Sequence, residues 1–160
     1  MWTFIRPWMV IAVVTLAIAS LSSLIQPQGV RWFNRQQRPS WLTFEGLIPI
    51  IWSIIFVAGA LSANAVWEAE PGTMATWLRM AGYVALELLI VGYVPIMFWL
   101  RRLRVGAIIG WAGWVSGVIL TNLIVPVSTL AVLLLIPYLL WAPIGSIVTQ
   151  QMDQINRTRP

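Results

Sequence analysis

The sequence predicts an all-α integral membrane protein, a single domain built as a bundle of five transmembrane helices. Three observations predict it. Apolar residues make up 59% of the 160 positions and charged residues only 9%, against about 25% charged in soluble domains. A soluble fold needs polar groups over its surface, and a mean hydropathy of +0.83 leaves too few of them to cover this chain. The apolar residues also gather in five stretches, each near the roughly 20 residues that a helix needs to cross a bilayer.

The predicted helices cover about residues 8–25, 46–66, 77–100, 105–124 and 127–148. Pro126 separates the last two and suits the first turn of a helix. The first stretch also has signal-peptide features, with Arg6 before an apolar run and small residues around Ala19 to Ser23. Cleavage there would leave an arginine-rich loop outside the cell, against the positive-inside rule, so the stretch is read as a helix. Residues 26–45 form a long polar loop that carries Trp32, Phe33 and Trp41 among Arg31, Arg35 and Arg38. A loop of that length is commonly functional, and its aromatics favour a segment packed at the membrane interface or folded over the bundle. Residues 68–76 make a short acidic connection, Arg101 to Arg104 a tight basic one, and residues 150–160 a polar tail expected to fray.

Arginine placement orients the bundle. With five spans, the first and third loops share a side with the C-terminus. That side holds Arg31, Arg35, Arg38, Arg101, Arg102, Arg104, Arg157 and Arg159, and the other holds Arg6 and Arg79. The positive-inside rule then puts the C-terminus in the cytoplasm and the N-terminus outside. A bacterial inner membrane or an internal, thylakoid-type membrane is the expected setting. The isoelectric point near 11 reflects these loop arginines, so no nucleic-acid partner is implied.

The chain has no Cys, His or Lys. Thiolate chemistry, histidine acid–base catalysis and histidine metal or haem ligation are excluded. No nucleotide loop, hydrolase triad or chain of intramembrane ionisable groups is present, so the chain is read as a non-enzyme with no obligatory cofactor. Glu87 is the one carboxylate deep inside a predicted span. It is either a functional group or a hydrogen-bonding contact to a neighbouring helix, and both readings stay open here. Among the 11 tryptophans, Trp2, Trp8, Trp67, Trp77 and Trp99 fit an interfacial belt. Trp41, Trp52, Trp111, Trp114 and Trp141 are candidates either for helix packing or for the walls of a site for a flat apolar ligand. Gly106, Gly110, Gly113 and Gly117 recur every three or four residues and call for close helix contact, within the bundle or between protomers.

The segment Trp32-Phe33-Asn34-Arg35-Gln36-Gln37-Arg38-Pro39-Ser40-Trp41 resembles the loop signature of the TspO/MBR family, the tryptophan-rich sensory and translocator proteins. Trp52 and Phe56 are similar to that family's Trp and Tyr on the second helix. Pro137-Tyr138-Leu139-Leu140-Trp141 resembles its Pro-Tyr-x-x-Trp on the fifth, and Phe98, Trp99 and Arg101 resemble its paired aromatics and arginine on the third. Glu87 falls where the family often has Gln. The likeness runs from about Trp32 to Thr149. It implies a TspO-like five-helix bundle with the first loop as a lid, homodimers, a role in transport, sensing or stress regulation, and binding of a tetrapyrrole (porphyrin, haem or bilin) or a sterol-like ligand. The ligand-binding residues so implied are Trp41, Trp52, Phe56, Glu87, Tyr138 and Trp141, with Arg35 and Arg38 for ligand carboxylates or for topology alone. The chain departs from the family pattern at Thr43-Phe44, where the family has two prolines. It departs again at Val91 and Thr149, each in place of Asn, and at Val94 in place of Trp, which makes the pocket more apolar. A second reading follows from those departures. The bundle would be an accessory or assembly subunit docked on a larger, pigment-containing membrane complex, with the glycine face and Glu87 as docking features.

Overall fold

A computed structural model describes residues 6–157; Trp2 and Arg159 lie outside the described residues. Five helices are long and apolar enough to cross a membrane. Helix α1 spans Pro7–Ser20 and continues as a 3₁₀ turn, Leu21–Leu24. Helix α2, Pro27–Asn34, is a short helix inside the segment expected to be loop. Helices α3, Ile48–Ala69, α4, Met74–Leu100, α5, Leu103–Ile124, and α6, Thr129–Arg157, complete the chain.

Local chemistry sets the boundaries. Pro7, Pro27 and Pro49 open α1, α2 and α3 in the first turn, where the missing N–H costs no helical bond. Thr73 caps α4 by accepting from the Thr76 N–H at 3.0 Å. Gly72, at φ +77°, supplies the left-handed residue of the α3–α4 turn. Helix α4 ends on Arg101 in the same left-handed region, at φ 51°, which sends the chain straight back into α5 after one further residue.

The contacts α1–α3, α3–α6 and α1–α4, with the α4–α5 and α5–α6 hairpins, close a ring in the order α1, α3, α6, α5, α4 and back to α1. The α5–α6 seam is the most extensive, and its glycines explain why. A Cβ on Gly110 would strike Ser146 and one on Gly117 would strike the Tyr138 ring, while one on Gly106 would strike Met97 across the α4–α5 contact. The glycine face is therefore used within the bundle, where it lets neighbouring helices approach closely. Lipid offers no hydrophobic drive between helices, so such packing carries much of the association. Outward faces are correspondingly apolar and open, with Leu16 69% and Leu140 68% exposed.

The half of the ring farther from α2 is filled by Val66, Tyr83, Leu120, Ile124, Ala131 and Leu135. At the other end Met97, Phe98, Leu103 and Met152 form a smaller cluster, capped by Trp32 and Phe33 of α2. The polar tail expected to fray is helical through Arg157. A helix of 29 residues is about 44 Å long at 1.5 Å per residue, longer than a ~30 Å hydrocarbon core. Its last turns therefore stand clear of the apolar span, and they are held by the connecting segment. Trp41 Nε1 donates to Gln151 Oε1 at 2.7 Å. The Gln37 N–H donates to Asn156 Oδ1, and Asn156 Nδ2 donates back to the Gln37 carbonyl, both at 3.1 Å. Met152 on the inner face is buried.

A lidded aromatic cavity

Residues 26–45 fold back over the open end of the ring. Helix α2 lies on α4 at Gly29, where a Cβ would come within 2.6 Å of Phe98 Cβ and 3.1 Å of the Phe98 carbonyl oxygen. Phe33 then meets the Phe98 ring with centroids 4.9 Å apart, and Trp32 meets it edge-on at 6.4 Å. Farther along, Trp41 packs on Phe44, and Phe44 meets Trp141 of α6 edge-on at 6.2 Å. Arg38 stiffens the turn between these anchors. Its guanidinium donates to the carbonyls of Phe33, Asn34 and Gln36, reaches Glu45 at 3.4 Å, and lies over the Phe33 ring.

Beneath this lid lies a cavity of about 500 Å³ to which all five spans contribute. That volume sits inside the 300–1,000 Å³ range of small-molecule sites. Trp52 and Phe56 of α3 form one wall, and Tyr138 and Trp141 of α6 form another. Val91, Val94 and Met97 of α4 make a third wall, and Phe33, Leu42 and Phe44 form the roof. Gly110 and Gly113 of α5 leave room on the remaining side, with Tyr138 Oη only 3.1 Å from where a Gly113 Cβ would be.

The cavity is apolar, and two of its wall residues carry unused donors. Trp141 Nε1 is buried without a hydrogen-bond partner. The Tyr138 hydroxyl also has no hydrogen bond among the described residues, although only 3% of Tyr138 is exposed. These residues are three apart on α6, so both side chains lie on one face. An unsatisfied donor in an apolar surround is costly, and a ligand with an acceptor atom relieves that cost. The other polar wall groups are already paired. Tyr93 and Thr149 share a hydrogen bond, and Ser146 Oγ donates to the Ala142 carbonyl at 2.9 Å.

Trp52, Phe56, Tyr138 and Trp141 are thus brought together on the cavity wall, and the departures Val91, Val94 and Thr149 line it as well. Four expected ligand residues do not reach it. Trp41 stands behind Phe44 and is tied to Gln151. Arg35 is exposed at the end of α2. Arg38 spends its donors on loop carbonyls. Glu87 faces α1, where its Oε1 accepts from Thr15 Oγ1 at 2.7 Å. The hydrogen-bonding reading of Glu87, left open by sequence, fits this geometry, because α1 packs on the face of α4 that carries it. Trp111 and Trp114 donate to Gln150 and to the Leu139 carbonyl and do not line the cavity. Tyr93 and Phe44 also line the cavity and were not among the expected ligand residues. The sign available for Phe44 was an aromatic residue where the family resemblance expects proline.

Five apolar spans, a folded first loop and an aromatic cavity beneath it define a class of small polytopic membrane proteins with an internal aromatic cavity. The TspO/MBR family profile matches residues 9–155, and the chain belongs to the TspO/MBR family. It is similar to Protein CrtK of Rhodobacter capsulatus, 24% identical over 143 residues that cover 89% of each chain. It is also similar to the Tryptophan-rich sensory protein of Cereibacter sphaeroides, at 22% over 90% of this chain and 87% of that one. The Translocator protein of Homo sapiens is 29% identical over 75% of this chain and 72% of its own.

Proposed function

We propose that this protein binds a flat, largely apolar ligand bearing at least one acceptor atom, of tetrapyrrole or sterol-like shape, in the lidded cavity, and that binding serves a transport, sensory or stress-regulatory role without catalysis. The observation that carries the reading is the pair of unpartnered donors, Tyr138 Oη and Trp141 Nε1, carried by two residues of the aromatic wall of a 500 Å³ apolar cavity. The indole and phenyl faces of Trp52 and Phe56 match a planar apolar body, and the two donors fix its orientation. The names sensory protein and translocator protein among the relatives agree with a binding role. The docked-subunit reading draws less support, since the glycine face packs inside the bundle and Glu87 is taken by Thr15. By the positive-inside rule the arginine-rich end, which carries the lid, faces the cytoplasm.

Titration of the purified protein with protoporphyrin IX tests the reading. Saturable quenching of tryptophan fluorescence and a shifted Soret band at micromolar ligand are expected, both weakened by Trp141→Phe and Tyr138→Phe. Unchanged fluorescence and an unshifted Soret band with both porphyrin and a sterol would overturn it.

A further inference from the structure

A second cavity, of about 580 Å³, opens at the lid end between the α4–α5 turn, the end of α6 and Trp32. It is unlike the first in chemistry. Arg101, Arg102, Arg104 and Arg157 line it, with Asp153 as the one carboxylate. Asp153 is already paired with Arg157 at 2.9 Å, and Arg101 donates to Gln28 at 3.0 Å. The side chains of Arg102 and Arg104 have no hydrogen-bond or ion-pair partner among the described residues. These two cations also sit at the wrong end of a helix. Arg102 is the N-cap of α5 without a side-chain cap, and the first turn of α5 holds no acidic residue. A helix N-terminus carries partial positive charge and free N–H groups, and it favours an anion. Like charge is thus gathered on like charge, and the one carboxylate of the lining, Asp153, is already taken by Arg157. Below the arginines the cavity wall is apolar, with Val105 and then Ile108, which is 59% exposed on the outer face of α5. A cationic head region that continues into an exposed apolar helix face matches a phosphate joined to acyl chains better than a free anion.

We propose that this pocket holds the headgroup phosphate of an anionic membrane phospholipid. Arg102, Arg104 and the α5 N-terminus bind the phosphate, and the acyl chains run along Val105 and Ile108. Arg101 and Arg157 add charge at the rim, and Asp153 opposes binding.

Native mass spectrometry of the protein, released from neutral detergent containing equal phosphatidylglycerol and phosphatidylcholine, tests this. One phosphatidylglycerol retained per chain, in preference to phosphatidylcholine, is expected. Each lost arginine should weaken retention about fivefold and the R102Q/R104Q pair roughly twentyfold. R31Q, outside the pocket, should leave retention unchanged. Asp153→Asn should strengthen retention, so the proposal stays testable even if the double variant does not fold. Equal retention of both lipids, or retention indifferent to Arg102, Arg104 and Asp153, would overturn the proposal. Displacement of the lipid by millimolar inorganic phosphate would overturn it too, in favour of a site for a soluble anion.

Discussion

The indole N–H of Trp114 on α5 donates to the main-chain carbonyl of Leu139 on α6 at 3.1 Å. Leu139 lies four residues before Pro143, and proline has no N–H to close the helical bond on that carbonyl. Hydrocarbon offers no water in its place, so the freed oxygen must find a donor within the protein. Trp114→Phe should therefore destabilise the bundle by about 1–2 kcal/mol. The cost should shrink by about 1 kcal/mol in a Pro143→Ala background, where an amide again serves Leu139. Unfolding titrations of the four proteins in mixed micelles supply the cycle, and equal costs in both backgrounds would mean that Trp114 acts by packing alone.

Tyr138 rests on Gly117 so closely that an added Cβ has no room beside the ring. Gly117→Ala should cost about 1–3 kcal/mol by overpacking and should displace Tyr138 from the cavity wall. Gly59→Ala is the matched control, because nothing lies within 4 Å of a Cβ there, and it should stay within about 1 kcal/mol of the parent. Thermal unfolding of both variants checks the contrast.

The lid depends on Gly29. The atoms nearest a Cβ at this position belong to the Phe98 backbone and Cβ, which cannot rotate aside as the end of a flexible side chain can. Gly29→Ala should lift α2 from α4 at a cost of about 1–3 kcal/mol. Faster proteolysis in residues 35–45 and a faster ligand off-rate are expected, with the helical content of the five spans retained. Unchanged cleavage would show that α2 docks without this contact.

These sites differ in how legible they were in the sequence. The spans follow from runs of apolar residues, and the pairs Trp52–Phe56 and Tyr138–Trp141 reach the cavity because each keeps helical spacing on an inward face. The polar candidates fared otherwise. Arg38 could be weighed against topology control, but its use by the carbonyls of Phe33 and Gln36 depends on the path of the loop. Glu87 had to find a partner in the bundle, yet nothing in the linear order placed Thr15 opposite it. The helical end of α6 was hidden because Gln150 to Asn156 are mostly polar, and the partners Trp41 and Gln37 with the burial of Met152 show why that stretch is ordered. Residues that answer to their own helix could be read, and those that answer to a distant segment could not.

In the filled half of the bundle, Ser62 Oγ lies 2.7 Å from the Ala131 carbonyl and 2.5 Å from Tyr83 Oη. Ser62 has one proton and the carbonyl has none, so Ser62 donates to Ala131 and Tyr83 donates to Ser62. The two ends of this chain are therefore unequal. Ser62→Ala strands the Tyr83 hydroxyl and removes the second of two bonds to the Ala131 oxygen, which keeps its bond within α6, and should cost about 1–2 kcal/mol. Tyr83→Phe leaves the Ser62–Ala131 bond intact and should cost under about 1 kcal/mol. The order of the two midpoints is the readout, and a reversed order would contradict the donor assignment.

Glu87 supplies the sharpest test of where ligand binding ends and helix packing begins. Its carboxylate oxygen accepts from Thr15 across the α1–α4 contact, off the cavity wall. A glutamine keeps an acceptor oxygen of the same reach, so Glu87→Gln should change stability by no more than about 0.5 kcal/mol. Thr15→Val removes the donor while keeping the shape, and should cost about 0.5–1.5 kcal/mol. Neither change should alter porphyrin affinity, whereas Trp141→Phe should. A tenfold loss of affinity in Glu87→Gln at unchanged stability would place the carboxylate on the ligand's route, with α1 rather than the lid as the moving part.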